Sequence, residues 1–169
     1  MKGLKILGGL ALVGFVIWYA MVSHKETVAQ RAIVNEVGGL IGSCRTAGDT
    51  IAIVGKVLVW DMHGDSRSGA QGMLPGLLKA ESTDKPITIF MVVGKRDERV
   101  GTYSISRQPA YREYVDIAVA YWPEKTAVGF HSVVSGEPRS SRPVQGTPEY
   151  GDPSEPIAKW IESLPRTIR

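Results

Sequence analysis

The sequence predicts an α+β protein: an N-terminal transmembrane helix, then one domain in which an antiparallel meander of about five strands carries a C-terminal helix packed on it. Three observations lead there. Residues 6–23 form a run of eighteen without a charge. The middle of the chain holds several Ile- and Val-rich segments separated by polar turns. Near the end, Ile157, Trp160, Ile161 and Leu164 recur at i, i+3, i+4 and i+7, which is one apolar stripe of a short helix.

The N-terminal run comes first. At ~1.5 Å per residue, eighteen helical residues span ~27 Å, close to a ~30 Å hydrocarbon core. Lys5 can snorkel at one end, and Trp18 and Tyr19 suit the interface at the other. A cleaved signal peptide is the competing reading, because Lys2 and Lys5 make a basic leader. The run exceeds the ~7–15 residues of such a leader, however, and no small-x-small site follows it. Cleavage after Ala20 or Ser23 would place Trp18 or Met21 at the −3 position, and Cys44 lies too far along for a lipid-anchored cysteine. A retained single-pass signal-anchor is therefore expected, with the lipid bilayer as the partner of residues 6–23. Lys2 and Lys5 stand without an acid on the first flank, while Lys25 and Arg31 are mixed with Glu26 and Glu36 on the second. The positive-inside rule then puts the N-terminus in the cytoplasm and the domain outside.

Division of the chain follows: residues 1–24 as tip and anchor, 25–48 as a juxtamembrane helix or linker, 49–169 as the extracytoplasmic domain. In the linker, Val28, Ala32, Ile33, Val37, Leu40, Ile41 and Cys44 read as an amphipathic helix weakened by Gly38 and Gly39. Such a helix either continues the anchor or packs on the domain. Residues 50–60 read as a strand with Gly55 as a bulge. Residues 87–93 are apolar at nearly every position, as in a strand covered on both faces. Residues 94–98 read as a polar turn into a strand at 100–105. Residues 115–122 alternate, with Val115, Ile117, Val119 and Tyr121 on one face. Pro123, Glu124 and Lys125 turn the chain into a last strand at 127–134. Two segments, 62–85 and 135–153, read as long irregular loops. Asp152 or Ser154 is placed to cap the final helix, Pro156 fits its first turn, and Pro165 stops it.

Composition excludes some functions. With Lys2 and Lys5 set aside, 18 basic residues face 17 acidic ones, so nothing favours nucleic acid as a partner. The single cysteine, Cys44, forms no internal disulfide and reads as a small buried residue.

Candidate chemistry centres on Val57-Leu58-Val59-Trp60-Asp61-Met62-His63-Gly64-Asp65. This segment resembles the first motif of calcineurin-like metallophosphatases, in which an Asp-x-His pair binds one metal. Those enzymes also need a downstream Gly-Asp, a Gly-Asn-His and further histidines, and here only His131 follows His63, so membership is not assigned. A single-metal site through Asp61, His63 and Asp65 remains the alternative reading, since carboxylate with imidazole suits Mn, Fe or Zn. Gly64-Asp65-Ser66 is similar to the nucleophile block of GDS-type esterases, but no Asp-x-x-His follows to supply a base for Ser66. Gly69-Ala70-Gln71-Gly72 lacks the Gly-Lys-Ser/Thr ending of a phosphate loop. Tyr103, Tyr111, Tyr114, Tyr121 and Trp122, with Arg107 and Arg112 among them, make an aromatic-basic set that suits either strand packing or binding of a glycan or peptide.

Prolines at 138, 143, 148 and 153 keep the second long loop extended, which lowers the entropy lost on docking. Arg139, Arg142 and Tyr150 on that loop are the expected partner contacts. The expectation is a membrane-anchored accessory or scaffold protein that docks onto another membrane or envelope protein, without catalysis and without a cofactor. A membrane-tethered single-metal hydrolase is the alternative.

Overall fold

In the computed structural model the chain is described over residues 3–41, 51–80, 87–103, 107, 109–136 and 153–167; for residues 3–15, 17, 19, 22, 23, 135 and 136 the backbone alone is described. One helix, α1 (Gly3–Gly38), opens the chain and runs 36 residues, about 54 Å. Two short strands follow, β1 (Ile53–Val54) and β2 (Lys56–Asp61), then β3 (Ser66–Arg67) and a one-turn helix α2 (Gly69–Met73). Three long strands come next: β4 (Ile87–Thr102), β5 (Pro109–Trp122) and β6 (Thr126–Gly136). Helix α3 (Ser154–Ser163) and β7 (Arg166–Thr167) complete the order.

Five of the strands form one mixed sheet in the order β3-β2-β4-β5-β6. The α+β class is as the sequence predicts, and β4, β5 and β6 do run as an antiparallel meander. The sheet has five strands, but the expected strands at 87–93 and 100–105 both start on β4, and β3 is the fifth. The sheet is not antiparallel throughout. β2 and β4 pair in parallel from Lys56↔Ile87 to Asp61↔Val92, with 25 residues of crossover between them. Parallel neighbours need such a crossover, and the segment at 62–85 supplies it instead of serving as a plain loop. The expected hairpin at 94–98 is also corrected. β4 passes straight through Gly94, Lys95, Arg96, Asp97 and Glu98, each paired with β5, and the reversal falls between Thr102 and Pro109. The reversal at Pro123, Glu124 and Lys125 stands where it is expected. Gly55 takes φ 70°, a left-handed conformation open to glycine, and this turn separates β1 from β2. β1 then leaves the main sheet and pairs in parallel with β7.

Alternation along the strands sorts the core into two layers. Val57 and Val59 of β2, Phe90 and Val92 of β4, and Val115, Ile117 and Val119 of β5 pack with Ala70 and Leu74 of the crossover and with Ile157, Ala158 and Ile161 of α3. Leu58, Trp60, Ile87, Ile89, Met91, Ala118 and Ala120 face the other way and pack on Ile33, Val34 and Val37 of α1. The sheet thus lies between α1 on one side and α2 with α3 on the other. Each fully buried Leu, Ile or Met there contributes about 1.5–3 kcal/mol of transfer free energy.

The buried face of α1 differs from the expected stripe. Ile33 and Val37 are buried as expected, but Val28 and Ala32 are exposed, and Gln30 and Val34 are buried in their place. Gln30 is tolerated because Nε2 donates to the Ala80 carbonyl at 3.3 Å and Oε1 accepts from Arg67 Nε at 2.6 Å. Among the described residues no helix is long and apolar enough to cross a membrane; the backbone is helical throughout 6–23, but most side chains of that run lie outside the described residues.

Helix α3 begins after Pro153 without a side-chain cap, and Ser154 is its first residue. Asp152, the other expected cap, lies outside the described residues. Pro156 sits in the first turn, and Leu164 and Pro165 end the helix in extended backbone. Trp160 stacks on His131 of β6 at 4.3 Å and meets Phe90 edge-on at 5.5 Å, which seats the helix on the sheet.

Candidate functional site

Asp61 ends β2, and the next four residues turn the chain into β3. Asp61 Oδ1 accepts the backbone N–H of His63 at 2.9 Å, which closes the turn locally. Asp65 has φ 45°, a conformation Asp tolerates better than most residues. Its carboxylate pairs with Arg31 Nε at 3.0 Å, and its carbonyl accepts from Arg31 Nη2 at 2.9 Å. Asp61 therefore supports the turn, and Asp65 ties the turn to α1. Among the described residues no group of three His, Cys, Asp or Glu side chains is arranged to hold a metal ion. Ser66 lies on β3 and His131 on β6, the two opposite edges of the sheet, so the histidine is not the base of that serine.

Beside this turn lies a cleft of about 550 Å³, lined by Glu26, Arg67, Ser68, Gly69, Gln71, Gly72, Gly76, Lys79 and Ala80. The crossover builds it. Ser68 Oγ accepts from the Ala70 N–H at 3.4 Å and starts α2, a helix too short and too rich in glycine to be legible as periodicity. Gln71 is buried, and its amide takes the place of a neighbouring strand on the part of the β2 edge that β3 does not cover. Oε1 accepts from the Val59 N–H at 2.7 Å, and Nε2 donates to the Val57 carbonyl at 3.2 Å. The Val57 N–H donates to the Leu78 carbonyl at 2.7 Å, which returns the chain to the same edge. The cations of the cleft are occupied: Lys79 Nζ donates to the Gly72 carbonyl at 2.7 Å, and Arg67 reaches Gln30 and, at 3.6 Å, Glu26. With a carboxylate among them, the cleft is not an anion site. It is a joint between α1 and the crossover.

The second feature is an arm. β4 is buried from Ile87 to Val92 and exposed from Lys95 to Thr102. Pairing with β2 ends at Val92, so β4 continues past the core with β5 alone beside it. Nine residues, Gly94 to Thr102, reach about 30 Å. Among the described residues nothing pairs with the outer edge of β4 along that length. Charges line the base of the arm: Lys95 pairs with Glu113 at 3.2 Å, and Arg96 pairs with Asp116 at 3.6 Å while covering the Tyr114 ring at 4.5 Å. Val100 is exposed near the tip.

The aromatic-basic set is divided by the sheet. Along β5, Tyr111 and Tyr121 alternate with Arg112, Tyr114 and Trp122, so the two groups stand on opposite faces. Tyr121 is fixed by its hydroxyl, which donates to the Ala52 carbonyl at 2.9 Å, and Trp122 sits beneath Lys125 at 5.5 Å. Lys125 in turn pairs with Glu36 of α1. Packing accounts for Tyr121 and Trp122. Arg139, Arg142 and Tyr150 lie outside the described residues.

Neither the arm nor the joint is visible as a motif. The nearest signal for the joint is the absence of any acid between Ser66 and Ala80, where only Arg67 and Lys79 carry charge. Compared with protein-family models, with curated proteins and with solved structures, the chain matches none of them.

Proposed function

We propose that this chain is a single-pass membrane protein, N-terminus inside, that acts as an accessory or scaffold component by docking its extracytoplasmic domain onto another membrane or envelope protein. The observation that carries this reading is the projecting β4–β5 arm. A strand with one unpaired edge offers main-chain donors and acceptors to an added strand, and its side chains set which strand fits. Exposed charges of both signs along Lys95, Arg96, Asp97, Glu98 and Arg99 deter self-pairing and leave room for a complementary partner. Arg139, Arg142 and Tyr150 are proposed as further contacts.

Co-purification of the full-length tagged protein from its native membrane in a mild detergent tests this, with mass spectrometry of what accompanies it. A near-stoichiometric partner is expected. Its recovery should fall about tenfold in Val100→Asp, which corresponds to ~1.4 kcal/mol of lost affinity. Recovery of the wild-type protein alone would sink the reading.

A further inference from the structure

We propose that the lobe made by α2 and the turn behind it, residues 69–79, rests in the interfacial layer of the same bilayer that α1 crosses, with Met73 and Leu77 as its apolar contacts. This rests on the membrane reading above. The crossover is clamped to α1 within one helical turn, by Glu26 on Arg67 and by Gln30 on Arg67 and Ala80. Glu26 also lines one cleft with Gly72, Gly76 and Lys79. It follows residue 23, the end of the uncharged run, by three residues, or ~4.5 Å of helix. The polar layer on each side of a hydrocarbon core is roughly 5–8 Å deep, so the lobe falls at headgroup level.

Ala70, Leu74 and Leu78 of the lobe are buried in the domain, yet Leu77 is 88% exposed and Met73 50% exposed. Leu77 stands in the chain between Gly76 and Lys79, both on the cleft wall shared with Glu26, which places it close to α1. No acid lies between Ser66 and Ala80, and the neighbouring Lys25 is exposed. An apolar tip on a segment without an acid, beside the exposed Lys25, suits the headgroup boundary. A protein-facing patch at this position would have to fit between the domain and the membrane.

Depth-resolved quenching tests it on the full-length chain in liposomes. In a Cys44→Ser background, single cysteines at Leu77→Cys, Met73→Cys, Val16→Cys and Val100→Cys carry an environment-sensitive fluorophore, and the lipids carry bromine at shallow or deep acyl positions. Labels at 77 and 73 are expected to shift to the blue and lose emission to shallow bromines. The label at 16 should be quenched, and the label at 100 should not respond. Quenching at 16 with labels 73 and 77 in water would overturn the lobe contact and leave the anchor standing. If the label at 16 also remains in water, the anchor falls and the lobe contact falls with it.

Discussion

At Gly69 the packing of two helices depends on a missing methyl group. A Cβ placed there would collide with Ser154 Oγ, while Ser154 Cβ would stay at 3.4 Å, an ordinary contact. Gly69 opens α2 and Ser154 opens α3, so the crossover and the C-terminal helix come close together at this point. Gly69→Ala should destabilise the protein by about 1–3 kcal/mol through overpacking. Ser154→Ala in the same chain should recover most of that loss, because it removes the colliding oxygen and keeps the Cβ. Urea unfolding of the two single variants and the double variant gives the coupling directly, and additive losses would refute the contact. Nothing in the one-dimensional pattern marks Gly69 apart from the other glycines of the crossover. A close approach is a property of two segments far apart in sequence. Gln71 was hidden for the same reason: its partners, Val57 and Val59, belong to another strand.

Among the elements, α3 and β6 meet through His131 and Trp160. His131 is exposed overall, but the face stacked on Trp160 is shielded from water, and this partial desolvation lowers its pKa below the ordinary 6.5. The unfolded chain therefore binds a proton more readily than the folded one. Stability should be unaffected by this group above about pH 6.5 and should fall as pH drops below it, until the folded form is protonated too. His131→Phe should flatten that limb of the stability profile, as read from thermal unfolding between neutral and mildly acidic pH. The elements divide by how far they depend on the core. Strands were legible where both faces are buried or where faces alternate, as in 87–93 and 115–122. The stripe of α3 was legible for the same reason. The polar run at 94–98 misled because the arm lies beyond the core, where a strand has no buried face and its polarity resembles that of a turn. The parallel pairing of β2 with β4 was not legible, since alternation reports which face is buried and not which neighbour is bonded.

For the molecule as a whole, the consequence lies in the continuity of α1. Gly3–Gly38 is one helix, and its last turns are bolted to the sheet by Ile33, Val34 and Val37. Among the described residues the helix has no break between the charge-free run and the turns packed on the sheet, so the bearing of the domain around the helix axis is set by residue count. A single alanine inserted between His24 and Lys25 lifts the domain by only ~1.5 Å but rotates it by ~100°. Seven inserted residues lift it by ~10 Å and bring it back to within about 20° of its starting bearing. If a neighbour in the membrane is grasped by the β4–β5 arm, partner recovery should fail with one added residue and return with seven. Contact of Leu77 with lipid should show the reverse preference, surviving the small lift and not the large one. The two readouts would then separate azimuth from height, the ruler and the protractor that one continuous α1 combines.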